Sequence, residues 1–517
     1  MRSHAKKWCS VADDWGVNGI FRTTASGWPY IGPVSSGKAP AVGPKEANTL
    51  GSTWPQFLAA AVVNLSTFSL GTHVAWTAMA LPQLMSAKSG LRDQPLTADQ
   101  ASWVASLLAL GGLCVLPLFA ALSSHVDRKI LGYIIVPLQL AAWVILMSST
   151  EVAALYTARF LASVHGTCAV LLSTLYVGET ASDGARGALG CLLSLLCNCG
   201  VLCGYVLGAC LSYSAVLYAS TAPLLLYVIC FPFMPETPYR LASTGRHQDA
   251  RKALRWLRRG ISEEEVEHQM ACIQASLDAG GSKQGDGDRR PLCELLRCRA
   301  SLVAVAIVLL LFLNQQFCGT LSVNSYAVFI FNEAGGSLSP EVATIILGVL
   351  QVVGGLLSAP LVDRMGRRPT LFLSNGAVGS SVAVMGVYLY LKAETQADLS
   401  SVGWLPVSCL SVYVVMVAFG LAALPYVVIA EIVPPRIRGL IGTCGYFIIS
   451  VAGGTMSKLY PLMSESMGTY GTFWFFAAVC ALSTLIAWFV LPETKGRPIE
   501  DILRELNGGK DVYVSST

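Results

Sequence analysis

Runs of about twenty residues with almost no charge recur along the whole chain, and they decide what it can fold into. Residues 102–123, 130–150 and 470–490 contain no Asp, Glu, Lys or Arg, and about twenty apolar residues is the length that carries a helix across a bilayer core. In hydrocarbon every backbone N–H and C=O has to be paired inside the protein, so such runs cross as α-helices. The composition agrees, with 54% hydrophobic and only 13% charged residues against about a quarter charged in a soluble domain. A water-soluble globule is excluded.

Dividing the apolar blocks at charges, glycines and prolines predicts twelve spans. Their limits are 57–82, 101–123, 130–150, 154–177, 187–210, 213–234, 300–331, 341–362, 369–391, 405–429, 439–461 and 470–490. With the N-terminus in the cytosol, all of the 35 Lys and Arg fall in cytosolic segments except Lys88, Arg92, Lys392, Lys458 and the intramembrane Arg159. That bias is the positive-inside pattern, so both termini are expected in the cytosol, with the plasma membrane as the expected location.

Residues 1–56 are polar, carry Lys6, Lys7, Arg22, Lys38 and Lys45 and lack the apolar core of a signal peptide, so they read as a cytosolic tail. Residues 57–234 and 300–490 form two bundles of six spans, and 491–517 a second cytosolic tail. The segment between the bundles, 235–299, opens with a basic helix over 246–259, continues into a helix starting at Glu263, Glu264 and Glu265, and then a flexible linker over 279–290. Its basic charge lies beside the membrane and is read as attraction to anionic lipid headgroups, not to nucleic acid. The 16 cysteines sit mostly inside spans, five of them between Cys191 and Cys210, with no CxxC pair or nearby carboxylate there. They are read as small packing residues and not as disulfides or metal ligands. Nothing in the chain asks for a cofactor or a metal.

An internal repeat turns the topology into a fold. Glu179, six residues, then Arg186-Gly187 follows span four; Glu431, six residues, then Arg438-Gly439 follows span ten. Pro235-Glu236-Thr237 ends span six as Pro492-Glu493-Thr494 ends span twelve, and Asp127-Arg128 follows span two as Asp363-Arg364 follows span eight. The expected fold is an all-α membrane protein of twelve transmembrane helices in two pseudo-symmetric six-helix bundles, a transporter design with a cavity between the halves.

On these residues the chain resembles the sugar porters of the major facilitator superfamily over about 57–505. The signature of the loop after span eight reads Asp363-Arg364-Met365-Gly366-Arg367-Arg368-Pro369, and Tyr176-Val177-Gly178-Glu179 with Arg186-Gly187 is similar to the segment after helix four. Pro235-Glu236-Thr237-Pro238, Pro492-Glu493-Thr494-Lys495-Gly496-Arg497 and Asn314-Gln315-Gln316 with Gly319 resemble three further motifs. LGTHVAWTAMALPQL, DQASWVASLL and GVLQVVGG look most like the insect trehalose and glucose facilitators.

The resemblance implies a gate. Glu179, Arg186, Asp363, Arg364, Arg367, Arg368, Glu431, Arg438, Glu236 and Glu493 lie at span ends and would form an ion-pair network. That network would join the halves when the cavity opens outward and break for inward opening. Exposed pairs contribute about 0–1 kcal/mol each, so several together bias an equilibrium and remain breakable.

For the substrate, spacing puts Gln315, Gly319, Ser322 and Tyr326 on one face of span seven, with Gln316 flanking. Amides donate and accept at once without charge, which suits sugar hydroxyls. By resemblance Gln351, Ser194 and Tyr426 also fall at cavity positions, and Asn198 lies one turn from Ser194. The chain departs from the family where Ser194 replaces a glutamine, Leu321 an asparagine, Ile448-Ile449 an asparagine–tryptophan pair, Tyr426 a tryptophan and Leu421-Ala422-Ala423 a Pro-Gly-Pro run. Asn198 is expected to take over the lost glutamine's role. The first-half loop signature is shortened to Asp127-Arg128-Lys129, which leaves Glu431 short of part of its network.

No Asp or Glu lies in mid-span, and an intramembrane carboxylate is what proton coupling usually needs. His73 and His165 are the remaining titratable candidates, and packing accounts for both. Facilitative uniport of a sugar such as trehalose or a hexose follows. The alternatives are a non-transporting sugar sensor, a carrier of another small solute, or a proton-coupled symporter. A membrane enzyme has least support, since no metal triad, nucleophile elbow or phosphate loop occurs.

Overall fold

The computed structural model describes residues 52–86, 95–148, 150–182, 184–281, 299–395, 399–433, 435–495, 497 and 499–507, the side chains of 279–281, 359, 360, 363, 430, 435–440, 499 and 500 excepted. Within them ten helical stretches are long and apolar enough to cross a bilayer, and the pair Trp54–Val63 and Leu65–Leu84, bent by 40°, makes an eleventh. One helical stretch, Pro435–Val490, has 56 residues and would run about 84 Å if straight, far beyond a membrane. Gly468, with φ 75° and ψ 157°, divides it into spans eleven and twelve. The expected twelve crossings are there.

Spans one to six comprise Trp54–Val63 with Leu65–Leu84, Ala98–Leu110 continuing through Leu116–His125, Arg128–Ile134 with Val136–Ser148, Val152–Thr180, Arg186–Cys210 and Tyr213–Cys230. Spans seven to ten comprise Arg299–Phe317 with Thr320–Ala334, Pro340–Met365, Arg367–Glu394, and Leu405–Met416 with Leu424–Ile432. Spans one to six make one half and seven to twelve the other. Since each half crosses an even number of times, Trp54 and the last helix, Ile499–Leu506, lie at one face of the bundle, here called the terminal face; the opposite one is the far face.

Breaks in the spans have local causes. At Asn64 the backbone bonds continue through the bend, Asn64 N–H to Ala60 O at 3.0 Å and Phe68 N–H to Asn64 O at 2.9 Å, while its Nδ2 also donates to Ala60 O at 2.8 Å and its Oδ1 accepts from Ser173 of span four at 2.6 Å. In span ten Pro425 has no N–H to donate to Leu421, and the helix passes through a π turn, Val417–Leu421, before restarting at Leu424. The break survives although the expected Pro-Gly-Pro run is absent.

Span seven corrects the sequence reading. It was expected unbroken over 300–331, but Gly319 takes φ +91°, and a Cβ there would lie 2.6 Å from the ring of Phe476. Only glycine fits. Thr320 Oγ1 and Cys318 Sγ donate to Gln315 O at 2.6 and 3.2 Å, satisfying a carbonyl that the break leaves open. Gln315, Gly319, Ser322 and Tyr326 therefore do not form one continuous helical stripe.

Small residues bring backbones together within the first half. A Cβ on Gly71 of span one would sit 2.1 Å from Cys197 O, and one on Gly200 of span five 2.1 Å from Phe68 O, the close approach that membrane helices use in place of a hydrophobic effect.

At the terminal face, helices Pro238–Ser243, His247–Leu257 and Glu263–Gly281 share a small core of Leu241, Ala250, Leu254 and Met270. The basic charge of this segment is not left for lipid alone. Arg251 pairs with Glu267 at 2.7 Å, Arg255 with Glu263 at 2.7 Å, Lys252 with Asp249 at 3.2 Å and Arg246 with Asp127 at 2.6 Å. The third helix extends to Gly281, past the expected start of the linker at 279, and 282–290 lies outside the described residues, as does 1–51 of the N-terminal tail.

Candidate transport site

Two matched clusters of charge close the terminal ends of the two halves. In the first, Arg128 at the start of span three reaches Glu179 at the end of span four, Nη2 to Oε1 at 2.7 Å, and Thr237 Oγ1 also donates to Glu179. Glu236 accepts the backbone N–H groups of Arg128 and Lys129 at 3.2 and 2.9 Å. In the second, Arg367 reaches Glu431 at 2.6 Å, Thr494 Oγ1 donates to Glu431, and Glu493 accepts the N–H groups of Arg367 and Arg368, both at 3.0 Å. Arg128, Glu179, Glu236 and Thr237 thus stand where Arg367, Glu431, Glu493 and Thr494 stand in the other half. The sequence reading had matched Arg128 with Arg364, whereas the structure makes Arg367 its counterpart, and Glu431 is not short of a partner.

The two capping glutamates differ electrostatically. Burial raises the Glu236 carboxyl above the usual range, helped by neighbouring Asp127, against three backbone N–H groups that pull it down. Burial also pulls upward on Glu493, but N–H groups from Arg367, Lys495, Arg368 and Thr494 outweigh it and the carboxyl sits lower than usual. Asp127 is likewise drawn up by burial but held low by Arg246 and Arg240, an anchor the sequence reading had not assigned.

Each of these pairs stays inside one half. Arg368 points elsewhere: it donates to Trp488 O at 2.6 Å with its guanidinium 5.2 Å from the Trp488 ring. Arg364 offers its carbonyl to Lys495 Nζ at 2.6 Å. The side chains of Asp363 and Arg438 lie outside the described residues.

The halves meet from mid-depth to the far face. Gln351 Nε2 of span eight donates to Asn198 Oδ1 of span five at 3.0 Å. Tyr205 donates to Asn324 O at 3.0 Å, Tyr446 to Thr167 at 3.5 Å, and Lys458 Nζ to Asp99 at 2.5 Å. Towards the terminal face the same side of span five opens. Asn198, Ser194, Cys191 and Gly187 share one helical face; Ser194 is exposed, and a Cβ on Gly187 would meet nothing within 4 Å.

Mid-depth is neutral and rich in amides. Gln315 and Gln316 are buried, and both Gln315 Oε1 and Gln351 Oε1 are buried without a hydrogen-bond partner among the described residues, as is Ser322 Oγ. Buried polar atoms are seldom left so. Tyr426 is 52% exposed with its ring edge-on to buried Phe312 at 5.4 Å. Tyr326 does not present a free hydroxyl: it is buried, donates to Ser457 O at 3.2 Å and stacks on Tyr460. Of the expected constellation, the structure brings Asn198, Gln351 and Ser194 to the seam and turns Tyr326 into packing.

In the sequence Arg159 stands out only as an exception to the basic asymmetry. It is fully buried in span four with no carboxylate beside it among the described residues. Its Nε donates to Val104 O at 3.0 Å, Nη1 to His73 O at 3.0 Å and Nη2 to Thr77 Oγ1 at 2.5 Å, and it lies 5.2 Å over Trp76. One guanidinium therefore ties spans one, two and four. His73 stacks on Trp143 at 3.8 Å, which agrees with a packing role.

Twelve crossings in two related halves, meeting at a neutral seam, define a major facilitator fold, the architecture of membrane solute carriers. Comparison bears this out: the xylose transporter XylE from E. coli in an inward open conformation superposes with a TM-score of 0.69 at 20% identity, over 87% of this chain and 99% of that one. The family described as "Sugar (and other) transporter" matches residues 57–506. The facilitated trehalose transporter Tret1 of Drosophila mojavensis is 32% identical over 460 residues, and that of Aedes aegypti 30% over 456, each across 88% of this chain. The chain spans about half the length of these curated relatives, 52% and 55%. It belongs to the sugar (and other) transporter family and is an integral, multi-pass membrane protein.

Proposed function

We propose that this chain is a facilitative carrier that moves a sugar, with trehalose first and a hexose second, down its gradient by alternating access. The halves 57–234 and 300–490 rock against each other, joined by the loop 235–299, with tails 1–56 and 491–517 in the cytosol and the protein in the plasma membrane. In this picture the terminal face is cytosolic and the described conformation opens inward.

The observation that carries the reading is the pair of buried amide oxygens, Gln315 Oε1 and Gln351 Oε1, that lack a donor among the described residues. Two neutral acceptors suit a ligand rich in hydroxyl groups, and a site that leaves them unpaired disfavours a solute without such groups. Asn198 would present its remaining amide donor at the same seam, with Ser194 and Tyr426 lining the inward path. The paired carboxylates Glu179 and Glu431 then serve the gate. Within each half they are held by an arginine, and in the outward-open state Arg186 and Arg438 would reach across. The relatives' name as facilitated trehalose transporters supports the choice of sugar, and the absence of a mid-span Asp or Glu supports uniport.

The test is initial-rate uptake of labelled trehalose, glucose and a polyol into cells expressing the full chain. Saturable uptake of trehalose or glucose that persists with a protonophore is expected. Uptake no greater than in control cells would remove the carrier reading, and uptake that collapses with the protonophore would remove uniport.

A further inference from the structure

Lys458 is one of the few basic residues that the charge pattern leaves away from the cytosol, and gating by the inner carboxylates gives it no task. The structure does. Lys458 of span eleven reaches span two of the other half, its Nζ 2.5 Å from Asp99 Oδ1, 3.3 Å from Asp99 O and 2.8 Å from Ser102 Oγ, and 4.4 Å from the centre of the Trp103 ring. The receiving helix end is held in place: Thr97 and Gln100 cap each other, with bonds of 3.0 and 3.2 Å. One turn inward from Lys458, a Cβ on Gly454 would lie 2.5 Å from Leu110 of span two, so the two spans are already in close contact below the charge pair.

We propose that Lys458 and Asp99 form an extracellular latch that holds the inward-open state and so sets the balance between the carrier's two faces. This rests on the orientation and rocking motion proposed above. Any outward opening separates span two from span eleven and breaks all four contacts at once. An interaction made in only one of two states shifts their ratio by its own free energy. The lysine side chain is 23% exposed and the aspartate 76%, so the pair sits at a wet rim. Its pull is modest, about two- to tenfold in the inward-to-outward ratio with the aromatic contact included, which keeps the latch breakable in every cycle.

Cys191, on the open face of span five and partly exposed, reports the state without any sugar. In inside-out membrane vesicles carrying the full chain, a membrane-impermeant maleimide added outside meets the cytosolic face, and mass spectrometry follows alkylation at that one residue. Alkylation follows the inward-facing fraction, so Asp99→Asn and Lys458→Gln should each slow it, by up to about two- to tenfold. Lys458→Arg should stay near the native rate, and the exchanged pair Asp99→Lys with Lys458→Asp should recover it. Unchanged or faster rates in the two single variants would overturn the latch, as would an exchanged pair that remains as slow as they are. If the rates behave as expected while labelled trehalose is not moved, the latch stands and the transport reading falls.

Discussion

Gln351 and Asn198 join the two halves at mid-depth through a single amide–amide bond of 3.0 Å, with Gln351 as donor and its own oxygen left over. Asn198 also lies against Gly355, one turn along span eight, where a Cβ would approach its Nδ2 to 3.3 Å. The asparagine therefore fixes which end of the Gln351 amide is left unpaired.

Asn198→Ala removes that orientation. A hydrogen bond of this kind is worth about 1–1.5 kcal/mol, so trehalose uptake should fall roughly tenfold at low concentration, with Gln315→Ala falling further. Native uptake by Asn198→Ala alongside loss in Gln315→Ala would show that Asn198 has not replaced the missing glutamine.

Gly319→Ala tests the break in span seven. The backbone conformation costs an L-residue about 1–2 kcal/mol, and the added methyl meets the Phe476 ring at 2.6 Å. The variant should melt several degrees lower in detergent, and Phe476→Ala should relieve part of the loss but not all, because φ stays positive. An unchanged melting temperature would contradict the left-handed break.

The outline of the fold was legible because apolar length and basic asymmetry are set by the bilayer itself. The breaks at Asn64 and Gly319 were not, since a helix interrupted by one residue keeps its apolar pattern on both sides. Gly319 did carry a signal, a glycine inside a helical run. Arg128 was hidden by the shortened loop signature, and its equivalence to Arg367 emerges only from their matched partners, Glu179 for Arg128 and Glu431 for Arg367. Arg159 was visible as an intramembrane charge, a feature that usually marks a role, but two of its three acceptors are backbone carbonyls, which no residue pattern reveals.

Arg159→Lys should destabilise the first half by about 3 kcal/mol, because one ammonium cannot bond Val104 O, His73 O and Thr77 together. Thermal unfolding in detergent measures it. Stability equal to the native chain would mean that charge alone suffices there.

The capping glutamates should respond oppositely to neutralisation. Glu236, raised by burial, favours its neutral form, so the cost of ionising it grows as pH rises through its pKa; Glu493, lowered by its N–H groups, supports the fold when ionised and loses that support as pH falls through its own pKa. Glu236→Gln should therefore be tolerated at neutral pH better than Glu493→Gln, as read from melting temperatures. A greater loss from Glu236→Gln would contradict the assignment.

The most direct measurement is counterflow in liposomes holding only the purified full chain, loaded with unlabelled trehalose and given labelled trehalose outside with no ion gradient. The account predicts a transient accumulation of label above its external concentration, unaffected by a protonophore and lost in Gln315→Ala. Label that never rises above its external level for trehalose or glucose, with folded protein in the bilayer, would contradict a carrier that rocks about a neutral amide site.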